Sequence, residues 1–359
     1  MTGSTPRHRH PLLALLGVVA CPLAACSGPI DAVANLEGLY ASHGEDAATY
    51  STEDPERNPV EFGIENLAEI WACEEDDLDD FGFARAIAAA TEIGRSDPSK
   101  ILRARGYETA AALWRSHPGG PFRFEAHPAD ENELKKTCEP LEAVVAAKED
   151  EREVLALGRS ADIAAAAKAV GALRPDSFVT ARRLLVLVAR CGEAVEESDA
   201  APATKQALHA AARALAGQAA FLSAMPDAEN AAAGVRLHGA ADDSGEARAG
   251  AGHLLLAVDP ASATIELGKV WDRLRDPLVK IVLLKVLGDS GLAAEGVHPS
   301  LRGPLLHDLD PDEENAALRY WSRRTLTKLL KLDPEKASEG ELRAKWMALG
   351  DWDVGARRS

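Results

Sequence analysis

Six polar punctuators, Arg174-Pro175-Asp176, Met225-Pro226-Asp227, Asp259-Pro260, Asp276-Pro277, Asp310-Pro311 and Asp333-Pro334, interrupt stretches dominated by Ala and Leu. Proline is tolerated at a helix's first turn, where its missing N–H has no partner to lose, and an Asp before it caps the free amides. A chain punctuated in this way is set up to start helices repeatedly. The stretches between agree: "ADIAAAAKAV" places Ile163, Ala166, Ala167 and Val170 on one helical face. "SFVTARRLLVLVARCG" is long enough for four turns and meets a stop signal at Gly192. "TKQALHAAARALAGQAAFL" continues the style.

Strand signals are few. "LLVLVA" (184–189) and "HLLLAV" (253–258) are apolar runs of strand length, which leaves an α/β sheet as the alternative. Both run back into helical sequence without a turn, and aromatic residues make up only 5% of the chain, so an all-α fold is expected.

The helical text also repeats. Asp242, Asp276 and Asp310 recur at intervals of 34 residues. A basic residue is followed seven positions later by Leu at Arg248 and Leu255, Lys280 and Leu287, and Arg319 and Leu326. On these residues, "LRDPLVKIVLLKVLGDSG" (274–291) and "LDPDEENAALRYWSRRTLTKLL" (309–330) resemble the inter-helix turn and second helix of HEAT-type repeats. The resemblance covers residues 156–332 and departs from the pattern over 193–240. It implies an α-solenoid of HEAT/armadillo-like helical pairs, each burying its seam against the next. "VKIVLLKVL" is apolar nearly all round, as a helix between neighbours should be, and "RYWSRR", Trp346 and Trp352 are candidates to close the array. Residues 60–155 are expected to form an irregular helical amino-terminal module, 156–350 the repeat region and 351–359 a tail.

A different signal stands at the start. Arg7 and Arg9 precede an apolar run from Pro11 to Ala25, too short for the roughly 20 residues a membrane span needs but suited to a secretory signal. Leu23, Ala24, Ala25, Cys26, Ser27 and Gly28 resemble the lipobox of bacterial lipoproteins, with Val18 to Cys21 a poorer match. The resemblance implies that residues 1–25 are a signal peptide and that Cys26 takes a diacylglyceryl group, with an acylated amino terminus. Two or three chains would give durable anchoring in the cell envelope. In enterobacterial sorting, Ser27 after the cysteine implies the outer membrane, facing the periplasm. Residues 26–59 then read as an acidic tether.

The chain carries 40 Lys plus Arg against 57 Asp plus Glu, a net charge of −17, which disfavours nucleic acid as a partner. Fourteen of the acids against the single Arg57 lie between Gly44 and Asp80. Within "CEEDDLDDFG", the cluster from Glu74 to Asp80 reads either as a solvated spacer or, through Asp76, Asp77, Asp79 and Asp80, as a loose divalent-cation site. Beyond Cys26, the cysteines Cys73, Cys138 and Cys191 allow one disulfide and one free thiol in an oxidising compartment. Cys73 with Cys138 is the expected pair, since Cys191 closes an apolar run; the other two pairings stay open.

Catalytic motifs fail on inspection. "GDSG" (288–291) lacks both a following Gly and a base for a serine nucleophile. Asp308, Asp310 and Asp312 begin like an EF-hand loop, but Glu313 stands where Gly is needed and Arg319 where a bidentate Glu is needed. No cofactor signature is present. The expectation is a lipid-anchored, non-enzymatic scaffold that binds a protein partner through its repeat surface. The alternatives are an enzyme or enzyme subunit with a dispersed site, and a divalent-cation-responsive regulator using residues 74–80.

Overall fold

The computed structural model describes residues 28–43, 59–72, 78–97, 99–117, 130–196, 198–233, 245–274, 276–310 and 315–350. Among these residues the protein is all-α, with fifteen helices and no β-strand. In chain order they are α1 (Pro29–His43), α2 (Pro59–Ala72), α3 (Asp80–Ser96), α4 (Lys100–Ser116), α5 (Glu131–Ala146), α6 (Glu149–Gly158), α7 (Ser160–Ala172) and α8 (Phe178–Glu196). They continue with α9 (Pro202–Ala233), α10 (Gly245–Val258), α11 (Pro260–Val270), α12 (Pro277–Asp289), α13 (Pro299–His307), α14 (Ala316–Leu329) and α15 (Glu339–Met347). No described helix is long and apolar enough to cross a membrane.

The Asp-Pro starts work as expected at α11 and α12. Asp259 accepts from the Ser262 amide at 3.2 Å, and Asp276 from the Leu278 amide at 2.9 Å, each ahead of a first-turn proline. Elsewhere the punctuation is used differently. Asn315 caps α14 and Ser338 caps α15, whereas Asp333 accepts from the Glu335 amide within a turn. Pro226 lies inside α9, which runs on to Ala233. The expected stop at Gly192 is also overrun, and α8 continues to Glu196. Gly192 serves packing instead: a Cβ there would stand 2.2 Å from the Phe81 ring.

From α10 onward, alternate helices pack on one another: α10 on α12, α12 on α14, and α11 on α13. Leu255, Leu287 and Leu326, the recurring leucines, sit fully buried on α10, α12 and α14. All three belong to the one apolar core. Arg302 closes the far end. Its guanidinium donates to the carbonyls of Val297 (2.8 Å), Glu295 (3.0 Å) and Gly350 (3.1 Å), while its own carbonyl accepts from buried Trp346 at 3.0 Å.

The division of the chain near residue 155 is not the division of the packing. α3 lies against α8 and α9, and α4 lies against α10, so helices of the expected amino-terminal module are built into the array. One apolar core runs continuously from Ala32 to Trp346. Close approach holds α3 and α4 together, and buried hydrogen bonds join them to α9. A Cβ on Gly106 of α4 would stand 2.6 Å from the Ala90 carbonyl oxygen and 2.7 Å from the Gly94 nitrogen of α3. Tyr107 Oη donates to the Ser223 carbonyl at 2.9 Å, and Ser223 Oγ to the Thr91 carbonyl at 2.8 Å, stitching α4, α9 and α3 through their buried sides. Likewise, residues 29–43 of the expected tether form α1, with Ala32, Val33 and Leu36 buried against α2 and α3. Acid-rich composition described the sequence beyond α1, and the apolar spacing within α1 decided that segment.

Candidate functional site

Two features among the described residues concentrate chemistry: a charged junction around Asp80 and an exposed face shared by α12 and α14.

Asp79 caps α3, accepting from the Gly82 amide at 2.6 Å, and so places Asp80 in the first turn, where the helix dipole favours a negative charge. Three cationic or imidazole groups converge on this carboxylate. His117 Nε2, at the end of α4, lies 2.9 Å from Oδ1. Arg213 Nη1, on α9, lies 3.1 Å from Oδ2 and 3.3 Å from Oδ1. His209 Nδ1, one turn before Arg213, stands 3.0 Å from Oδ2, within range of charge attraction but off the line of a hydrogen bond. The other nitrogen of His209 meets Glu196 Oε1 at 2.9 Å, at the end of α8. Phe81 stacks on the His209 ring at 4.3 Å, and Phe83 meets His117 edge-on at 4.9 Å.

Burial alone would raise the Asp80 carboxyl's pKa, but the His117 hydrogen bond and the charges of Arg213 and His209 outweigh it and hold the group below its ordinary value. The arrangement is an alternating chain, Glu196, His209, Asp80, His117, that ties four helices together. Chemically it is a latch whose strength depends on protonation.

Two of the four carboxylates of the divalent-cation candidate have structural partners here. Asp79 is a helix cap and Asp80 is already paired with protein cations, so neither is a spare ligand. Asp76 and Asp77 lie outside the described residues, and no group of three or more metal-ligating side chains gathers among those described. Cys26 and Cys73 also lie outside them. Cys138 carries a free, buried thiol on α5, its pKa raised by burial and by Glu142 against the opposing pull of Arg183. Cys191 is a free thiol buried on α8 and pushed up to about 12 by desolvation, as an inert core cysteine should be. The histidines were the missed element: His117 and His209 are isolated in sequence, and only the fold brings them to one carboxylate.

The second feature lies at the carboxyl-terminal end of the helix row. Leu278 and Val282, one turn apart on α12, are both exposed, Leu278 at 69%. Lys285, the next residue on that face, places Nζ 4.3 Å from the Trp321 ring centroid on α14. Arg324 lies over the same ring at 5.7 Å and donates from Nη1 to Tyr320 Oη at 3.1 Å. Tyr320, 54% exposed, meets Trp321 edge-on at 5.4 Å. Beneath this face, Asp308 accepts from Trp271 Nε1 at 2.7 Å and pairs with Lys280 of α12 at 3.4 Å. Burial pushes the Asp308 carboxyl up, with Lys280 and the Trp271 hydrogen bond acting against it. The triad ties the α12 end of the face to the end of α13. The aromatic face of Trp321 attracts both cations and restrains long side chains that would otherwise move freely.

No protein-family model matches the chain, and no curated protein or solved structure does so either. The functional reading is therefore carried by the residues themselves.

Proposed function

We propose that the protein is a membrane-tethered lipoprotein, anchored through Cys26, whose helical body is an interaction scaffold that engages a partner protein through the exposed face of α12 and α14. The observation that carries the scaffold reading is the ordered Lys285, Trp321 and Arg324 stack beside exposed Leu278 and Val282. Aromatic residues and Arg are the side chains that anchor protein interfaces, because they bring large contact area and directed donors at low entropic cost. An exposed aliphatic pair next to such a stack supplies apolar area to bury. The helical repeat resemblance supports the same reading, since stacked helical pairs present extended binding surfaces. The lipobox at Leu23 to Cys26 supports the anchor.

Placing a photo-crosslinking residue at Leu278 of the full chain, in membranes of the source organism, tests the scaffold. A defined adduct is expected there and none from the same probe at Lys168, an exposed position on α7. Equal labelling at both positions, or at neither, would refute the reading. In the same membranes, Cys26→Ser should move the protein to the soluble fraction; retention in the membrane would rule out the anchor.

A further inference from the structure

Resting on the scaffold reading, we infer that the α12–α14 face recognises an acidic, leucine-bearing segment of its partner, with carboxylates on Lys285 and Arg324 and an apolar side chain over Leu278 and Val282. Charge supplies the first argument. α14 brings Arg324 to this face and α12 brings Lys285, in a chain whose net charge is −17; of the other α14 cations, Lys328 pairs with Asp289 of α12 and Arg323 donates to the Ala337 carbonyl. An acidic ligand is repelled by most of the molecule and attracted here, which confines it to this face.

Geometry supplies the second. Arg324 is held over the Trp321 ring and by the Tyr320 hydroxyl. With Nη1 donating to Tyr320, Nε and Nη2 are the guanidinium donors that can fork onto a carboxylate. Lys285 adds a point charge at the same ring. Holding these donors in place before binding removes part of the ordering cost a carboxylate ligand would otherwise meet.

The chain's own acidic segments are poorly placed to fill the face. Residues 44–58 connect α1 to α2, and α2 is separated from α14 by α4, α10 and α12. Residues 311–314 join α14 at its amino-terminal end, about 14 Å along the helix from Arg324. The tail, 351–359, contains Asp351 and Asp353 and equally Arg357 and Arg358, so its sequence is not that of an acidic ligand. Residues 74–77 connect α2 to α3, neither of which packs on α12 or α14, and the occupant is accordingly assigned to another protein. A lipid surface fits less well, because Trp321 is half-buried against the core and engaged by two cations, so it is not free to enter a bilayer.

Fluorescence polarisation of a labelled peptide of repeating Glu-Glu-Leu triplets, against the detergent-solubilised full chain, tests the assignment. Its Gln-Gln-Leu counterpart and phosphatidylglycerol vesicles serve as the comparison ligands. The acidic peptide should bind at least about 10-fold more tightly than the neutral one, and more weakly as salt rises. Lys285→Glu with Arg324→Glu should weaken it by about 30-fold, Leu278→Ser by about 5-fold, and Lys168→Glu should leave it unchanged. Thermal melts report whether the reversed pair still folds. Where it does not, Lys285→Gln with Arg324→Gln should show a loss of about 10-fold. Equal affinity for the two peptides, or indifference to every α12–α14 variant, overturns the inference. So does vesicle binding through this face without peptide binding, or self-association that Lys285→Glu with Arg324→Glu abolishes. Crosslinking at Leu278 combined with failure of the peptide test would retain the scaffold and reject the acidic partner.

Discussion

Asp80 shows how far one side chain's role depends on distant sequence. As part of an acidic run it reads as a solvated charge or a cation ligand. In the fold it is the centre of a latch, with its partners 37, 129 and 133 positions away at His117, His209 and Arg213. Nothing local to any of the three signals this meeting. Because the folded carboxyl's pKa lies below its ordinary value, its stabilising contribution is complete above about pH 4 and is lost as pH falls through the folded value. Asp80→Asn should therefore destabilise the protein by about 2 kcal/mol at neutral pH. That gap should begin to narrow as the pH falls below about 4 and close once it has fallen through the lowered folded value, where the wild-type carboxyl is protonated as well. Denaturant melts of both proteins across this range check it; a gap that is constant with pH would show that the charge is not what holds the junction.

Helices were legible where local signals act alone and illegible where tertiary contact overrides them. The capped starts of α11 and α12, the buried face of α7 at Ile163, Ala166, Ala167 and Val170, and the seam leucines of α10, α12 and α14 all follow from spacing and cap chemistry. Gly192 reads as a stop because glycine ends helices, yet here the missing side chain makes room for Phe81 from another helix. Periodicity identifies which face of a helix is apolar but not which helix covers it, so the insertion of α3 and α4 beside α9 and α10 was invisible. Gly106 sets how closely α3 and α4 approach each other within that arrangement. Gly106→Ala places a methyl group against the α3 backbone, which cannot yield as a flexible side chain would, and should cost about 1–3 kcal/mol despite alanine's better helix propensity. A thermal melt decides it: an unchanged or raised midpoint would mean that α3 and α4 are not in this contact.

At the scale of the molecule, contacts order one row of helices as α1, α2, α4, α10, α12, α14. On the proposed anchoring, Cys26 lies three residues before Pro29, the first residue of α1, so the body would meet the membrane at the α1 end without a long spacer. The α12–α14 face is five helix spacings along the row, which puts anchor and binding face at its two ends. That separation suits a scaffold that holds a partner away from the bilayer. The binding claim is tested most directly by hydrogen–deuterium exchange on the full chain, compared between native membranes and purified protein in detergent. Slower exchange in membranes over 277–289 and 316–329, with α5 to α7 unchanged, is the expected result. Equal exchange in the two states, or protection centred on α5 to α7, would contradict the assignment of this face as the scaffold's binding surface.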